Sequence, residues 1–140
     1  VKMSKSSPGG SLDLLAPVRE SVKKIKSAVT DNEREVRYDP EAKPGVSNIL
    51  SLLSVLSETS IPDLEAAYAG RGYGDLKGDL AEAFAAFATP LQERVSAYLD
   101  DPAELDRILA TGAGRAAEAA DRTVRDVYQK VGFLPGPRGA

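Results

Sequence analysis

Apolar residues in this chain recur at intervals of three and four from Val18 to Val131, a period that suits helices with one buried face and not half-buried strands. The first stripe is Val18, Val22, Ile25 and Val29. Ile49, Leu50, Leu52, Leu53, Val55 and Leu56 cover more of a helix circumference, so this second helix is expected in the middle of the domain. Leu64, Ala67 and Tyr68 belong to a short third helix. Leu76, Leu80, Phe84, Phe87, Leu91, Val95 and Tyr98 mark a long fourth one. Leu105, Ile108, Leu109, Ala113, Ala116, Ala120, Val124, Val127 and Val131 mark the inner face of the last.

The punctuation between the stripes agrees. Pro17 suits a first helical turn, Ser47 or a neighbour a cap for the second helix, and Ser60 with Pro62 the start of the third. Residues 30–46 are polar and hold two prolines, which predicts a loop with a short extended piece at Val36 to Tyr38. Gly70, Gly72 and Gly74 break the chain before the fourth helix, and Pro90 inside that stripe predicts a kink. Asp101-Pro102 opens the last helix and Gly132 ends it. The reading is all-α: a bundle of about five helices with a flexible N-terminal loop. Residues 1–16 form the loop and connector, 17–132 the helical domain and 133–140 a tail.

Composition narrows the chemistry. There is no cysteine and no histidine, which removes disulfides, thiolate nucleophiles, zinc clusters and every Ser-His-Asp scheme. No apolar run reaches the ~18 residues of a membrane span, and residues 1–11 lack the apolar stretch of a signal peptide. Reactive groups are therefore lysines, carboxylates and hydroxyls. The net charge of −3 is unevenly spread: residues 1–37 hold eight Lys/Arg against five Asp/Glu (+3), and residues 38–140 hold ten against sixteen (−6). Phosphate chemistry is expected at the basic N-terminal end.

That end begins Val1-Lys2-Met3-Ser4-Lys5-Ser6-Ser7-Pro8-Gly9-Gly10. Two ammonium groups on a Gly-flanked loop can close on a polyphosphate, with hydroxyls and backbone N–H groups adding hydrogen bonds. Such a clamp stabilises charge developing on a leaving pyrophosphate. A solvated basic terminus is the other reading of the same residues. A working loop at the very first residues also suggests a fragment or truncated copy.

KMSKS is the second signature of class I aminoacyl-tRNA synthetases. With KIKSAVTD at 24–31, RYDPEAKPGVSN at 37–48, YGDLKGDLAEAF at 73–84, PLQERV at 90–95 and LDRILATGAGRAAEAA at 105–120, the chain closely resembles the tryptophan-specific bacterial members over its whole length, from their KMSKS loop onward. Ser7 departs from the acidic residue expected there. The resemblance implies ATP-dependent activation of tryptophan and its transfer to tryptophan tRNA, in a cytoplasmic enzyme that is a homodimer. It implies that Lys2 and Lys5 contact the ATP phosphates, Lys5 with the larger transition-state role, and that Met3, Ser4 and Ser6 shape the loop. ATP is the substrate, and Mg2+ accompanies it without being bound by this chain alone. The tryptophan pocket and the histidine-bearing signature are expected in a Rossmann-type domain that this chain lacks, so the chain alone is expected to be inactive. The helical region would bind tryptophan tRNA at its anticodon. The alternative is a free-standing, non-catalytic tRNA-binding module derived from a synthetase.

Other residues carry weaker signals. Asp39 and Lys43 could pair across the turn Asp39-Pro40-Glu41-Ala42-Lys43-Pro44-Gly45, which reads as a rigid connector or as a contact with the catalytic domain. Arg107, Arg115 and Arg122 could form a phosphate-binding stripe, although Glu118–Arg122 and Asp121–Arg125 have the spacing of ordinary helix pairs. Lys77, Arg94 and Arg71 are further candidates for tRNA, and Tyr38, Tyr68, Tyr73, Tyr98 and Tyr128 for stacking on bases. Apolar surface that would face the catalytic domain is expected on the 47–57 helix and the loop before it, with self-association as its consequence.

Overall fold

A computed structural model describes residues 11–134 of the chain. Among them lie five helices and no strand: α1 (Val18–Lys26), α2 (Pro44–Ser57), α3 (Ile61–Ala67), α4 (Tyr73–Asp100) and α5 (Pro102–Val131). The all-α expectation therefore holds. The chain divides into two compact units, residues 1–94 and 95–140.

The first unit has one core. Ile25 of α1, Val36 of the following loop, Val46, Ile49, Leu50 and Leu53 of α2, Leu64 of α3, Tyr68, and Leu76, Leu80, Ala81, Phe84 and Ala88 of α4 form a single buried cluster. Each fully buried Leu or Ile contributes roughly 1.5–3 kcal/mol relative to exposure. Ala81 and Ala88 of α4 are almost fully buried in this cluster. Val18 and Val22 pack at the edge of the cluster, whereas Val29, the fourth member of the first stripe, lies beyond the end of α1 and is 86% exposed. Phe87, expected in the core, is about half exposed.

The helix boundaries are mostly local matters. Ser60 caps α3 by accepting the Asp63 N–H, and Asp101 caps α5 by accepting the Glu104 N–H. Gly132 closes α5 in the left-handed region, at φ 75°, as expected. The start of α2 differs from expectation. The helix begins at Pro44, and Ser47 lies inside its first turn, buried, with its hydroxyl accepting the Asp39 N–H at 2.8 Å. Ser47 thus fastens the preceding turn to the helix instead of capping the helix. The C-cap of α2 is Glu58 at φ 53°, a non-glycine in the left-handed region that nothing in the sequence signals. Helix α4 runs on through Pro90.

The second unit holds the last turns of α4 and all of α5. None of the α5 residues is buried, including those of its apolar stripe. Leu109 is 60% and Val131 55% exposed. Within its own unit the apolar stripe of α5 is amphipathic in pattern but makes no core, because periodicity specifies which side is apolar and not what lies against it.

Candidate functional site

Lys2, Met3, Ser4, Lys5 and Ser6 lie outside the described residues. The connector behind them, residues 11–16, is held by specific bonds. Leu12 packs against the core of the first unit. The Lys24 ammonium donates to the Ser11 carbonyl at 3.3 Å, and the Asp13 carboxylate accepts the Leu15 N–H at 2.9 Å. The Gln92 side-chain amide on α4 donates to the carbonyls of Leu14 at 2.7 Å and Ala16 at 2.9 Å. The connector is thus fastened to α1 and α4.

The loop between α1 and α2 is built around one buried cation. Lys43, the residue preceding α2, is only 2% exposed. Its ammonium lies 3.3 Å from the Asp31 carboxylate, pairs with Glu33, and donates to the Tyr73 hydroxyl at 3.1 Å. Tyr73, the first residue of α4, in turn donates to Asp31 Oδ1 at 2.6 Å. The Asp31 Oδ2 atom is buried and has no partner among the described residues. The Tyr73 hydroxyl bond does most to hold Asp31 below the usual aspartate range, against the cost of burial, with help from the Glu33 N–H and Lys43. The bond to Glu33 does most to raise Lys43 well above its ordinary value, again against desolvation.

The expected Asp39–Lys43 ion pair is not made. Asp39 instead accepts the Ala42 N–H, pairs with Arg37 at 2.7 Å and accepts the Glu41 N–H, which in that order hold its carboxyl low against the cost of burial. This is an Asx-type turn, the local use to which Asp before Pro is suited. The link between residues 39 and 43 runs through the backbone, Lys43 N–H to Asp39 carbonyl, at 2.7 Å. Gly45 is required by packing: a Cβ there would stand 2.3 Å from the Val29 carbonyl oxygen. The turn places Lys43, the residue before α2, against Asp31 and Glu33 of the same loop and Tyr73 at the start of α4.

The candidate tRNA contacts divide. Tyr68 is buried, with its hydroxyl donating to Asp79 at 2.5 Å and the Arg71 guanidinium stacked on its ring at 4.6 Å. Burial, then the Asp79 carboxylate, pushes that phenol up. Arg71 also pairs with Asp75 and Asp79. Tyr73 is held in the Lys43 cluster, and Lys77 donates to the Thr30 hydroxyl at 3.3 Å. These side chains are engaged within the first unit. Tyr38, Tyr98 and Tyr128 keep 39%, 50% and 41% of their surface exposed. On α5, Arg107 pairs with Glu104, whereas the expected Glu118–Arg122 and Asp121–Arg125 pairs are not formed among the described residues. A cavity of about 730 Å³ is lined by Arg34, Arg37, Glu65, Tyr68 and Arg71 among others. A second, of about 630 Å³, is lined by Leu12, Leu14, Val29, Leu52, Val55 and Phe87 among others. The 77% exposure of Val55 agrees with apolar surface on the second helix.

Sequence reasoning missed the Lys43–Asp31–Tyr73 cluster and the Gln92 clamp. A lysine flanked by alanine and proline in a polar loop gives no sign of burial, and no spacing rule joins residues so far apart in the chain.

The family model for class I tRNA synthetases (W and Y) matches residues 1–89. Tryptophan–tRNA ligase 2 of Streptomyces avermitilis is 52% identical over 137 residues, which covers 96% of this chain and 41% of that protein. The tryptophan–tRNA ligase of Corynebacterium glutamicum is 53% identical over 139 residues, covering 98% of this chain and 40% of that protein. The solved tryptophanyl-tRNA synthetase of Mycoplasma pneumoniae superimposes with a TM-score of 0.81 at 29% identity, over 94% of this chain and 41% of that one. The Campylobacter jejuni enzyme, solved with ADP and tryptophan, gives 0.67 at 30% identity over the same shares. The chain belongs to the class I tRNA synthetase family of the tryptophan and tyrosine enzymes. Within that family its likeness is to the tryptophan-specific bacterial members, and it spans about two fifths of the length of the curated relatives it matches.

Proposed function

We propose that this chain is the part of a bacterial tryptophan–tRNA ligase that supplies the KMSKS phosphate contacts and the helical tRNA-binding region. In that reaction the tryptophan carboxylate attacks the α-phosphorus of ATP, forming tryptophanyl-adenylate and releasing pyrophosphate. The tryptophanyl group then passes to the 3′ end of tryptophan tRNA, releasing AMP. Lys2 and Lys5 bind the ATP phosphates, and Lys5 meets the charge that develops on the leaving pyrophosphate. Met3, Ser4 and Ser6 set the shape of the loop around them. Mg2+ travels with the nucleotide. A Rossmann-type domain supplies the tryptophan pocket and the homodimer contacts, and the enzyme works in the cytoplasm, where its tRNA is charged.

The observation that carries this reading is the family match over residues 1–89, which includes Lys2 to Ser6, together with identities of 52% and 53% to proteins named tryptophan–tRNA ligase. The test is a chimera. The matching residues of the Bacillus subtilis tryptophan–tRNA ligase, 46% identical, are replaced by this chain. Tryptophan-dependent ATP–pyrophosphate exchange and tRNA charging are then measured. The chimera is expected to be active, and Lys5→Ala to lower the exchange rate by about 10²–10³-fold. A folded chimera that makes no adenylate, or one indifferent to Lys5→Ala, would overturn the reading. For the chain alone, tryptophan tRNA is compared with an anticodon mutant across a salt series. A preference that survives added salt supports anticodon recognition by the helical region. Equal binding lost steeply with salt is backbone attraction only.

A further inference from the structure

Lys43 and its partners grip the loop before α2 at two residues, and the residue between those two carries a cation without a partner. The Lys43 ammonium pairs with Glu33, and the Asp31 carboxylate accepts the Glu33 N–H at 2.8 Å. The Tyr73 hydroxyl lies 3.1 Å from the Glu35 carbonyl. Glu33 and Glu35 flank Arg34, and Val36 beyond them is buried in the core. The backbone at Arg34 is therefore held from both sides.

Three arginines line the cavity of about 730 Å³: Arg34, Arg37 and Arg71. Two of them are paired. Arg37 meets Glu35 and Asp39, and Arg71 meets Asp75 and Asp79 while stacking on the Tyr68 ring. Arg34 is exposed and makes no ion pair or hydrogen bond among the described residues. A guanidinium with all its donors open can take a phosphate in bidentate fashion, whereas a paired one must first release its carboxylates.

We propose that Arg34 is a tRNA phosphate contact of the helical region, and that Lys43 is its positioning residue, acting through Glu33 and, with Tyr73, through the Glu35 carbonyl. The inference rests on the reading that this region binds tRNA. Lys43 is only 2% exposed and meets no phosphate itself. Its effect is to fix the loop beforehand, so that less freedom is lost when Arg34 engages its ligand.

The test is binding of tryptophan tRNA by this chain across a potassium chloride series. Arg34→Ala is expected to weaken binding about 10-fold at low salt. It should also reduce the slope of log affinity against log salt by about one, as one lost phosphate contact requires. Lys43→Met and the milder Tyr73→Phe should each reproduce part of both effects, although neither residue lines the cavity. Instability alone lowers the folded fraction and leaves the salt slope as it was. In the Tyr73→Phe background, Arg34→Ala should then do less than in the parent, because the contact is already weakened. Amide hydrogen exchange in Tyr73→Phe should accelerate over residues 32–37. Should Lys43→Met not fold, Tyr73→Phe carries the test alone. An unaltered salt slope in Arg34→Ala removes the phosphate contact. An undiminished Arg34→Ala effect beside Tyr73→Phe, or unchanged exchange over residues 32–37, removes the positioning role. A parent chain that binds no tRNA instead sinks the tRNA reading of the helical region, and Arg34's role with it.

Discussion

The Lys43 ammonium reaches back to the Asp31 carboxylate, 3.3 Å away, and leaves its nearer neighbour Asp39 to cap the turn and pair with Arg37. The Tyr73 hydroxyl bridges the same two charges from the start of α4. A buried ion pair adds little over an apolar substitute, but removing one partner is costly because the other is left uncompensated. Lys43→Met is therefore expected to lower the melting temperature of the first unit by roughly 10 °C or more. Tyr73→Phe should also lower stability, since it strips a donor from the part-buried Asp31 carboxylate. The double variant should lose less than the sum, as groups in one network couple. Additive losses in chemical denaturation would show that the two side chains act separately.

Stability should decline at both ends of the pH scale. The folded protein holds Asp31 and Asp39 below the ordinary aspartate value of 3.8. Their contribution is present above that value and lost as pH falls through the lower folded values, because the unfolded chain then binds more protons. Lys43, Tyr68 and Tyr73 are all raised, from ordinary values of 10.5, 10.0 and 10.0. Their contribution is complete below about pH 10 and fades as pH climbs through the higher folded values. Thermal melts from pH 2 to 12 check both limbs. Asp31→Asn should flatten the acid limb and Tyr68→Phe the alkaline one, and an unchanged slope in either variant would contradict the assignment.

Two glycines should answer oppositely to alanine. At Gly45 a methyl group would meet the Val29 backbone carbonyl at 2.3 Å, and backbone cannot swing aside. Gly45→Ala is expected to destabilise by about 1–3 kcal/mol. Gly78, inside α4, has nothing within 4 Å of its would-be Cβ. Gly78→Ala should stabilise by roughly 0.5–1 kcal/mol, through the lost freedom of the unfolded chain. Urea denaturation of the two variants beside the parent distinguishes them.

The caps offer a contrast between supported and unsupported helices. Ser60→Ala removes the acceptor for the Asp63 N–H, and Asp101→Ala the acceptor for the Glu104 N–H. Each should cost about 1 kcal/mol. Helix α3 has Leu64 in the core, whereas α5 has no buried residue. Loss of the cap should therefore fray α5 visibly in amide exchange over residues 102–108 while α3 stays protected. Equal fraying in both would mean that tertiary packing does not support α3.

Much of the local structure was legible in the sequence. The stripes placed five helices, because a period of three and four residues is a property of the chain alone. Ser60, Asp101 and Gly132 marked their boundaries correctly, since capping needs only residues a few positions apart. The Lys2 to Ser6 motif, with the segments quoted beside it, pointed to the same family that the comparisons found. Ser47 misled, because a serine beside a helix start can bond in either direction and only the Asp39 N–H settles which.

What the sequence determined by itself was helix content, most helix ends and family membership, all carried by short-range pattern or residue identity. Only tertiary structure decided that Lys43 would be buried among Asp31, Glu33 and Tyr73, that Gln92 would clasp Leu14 and Ala16, and that Phe87 would stay half outside the core. Those outcomes depend on which helices meet and at what depth. A buried charge or a long-range hydrogen bond leaves no periodic trace, because its partner is chosen by proximity in the fold and not by position along the chain.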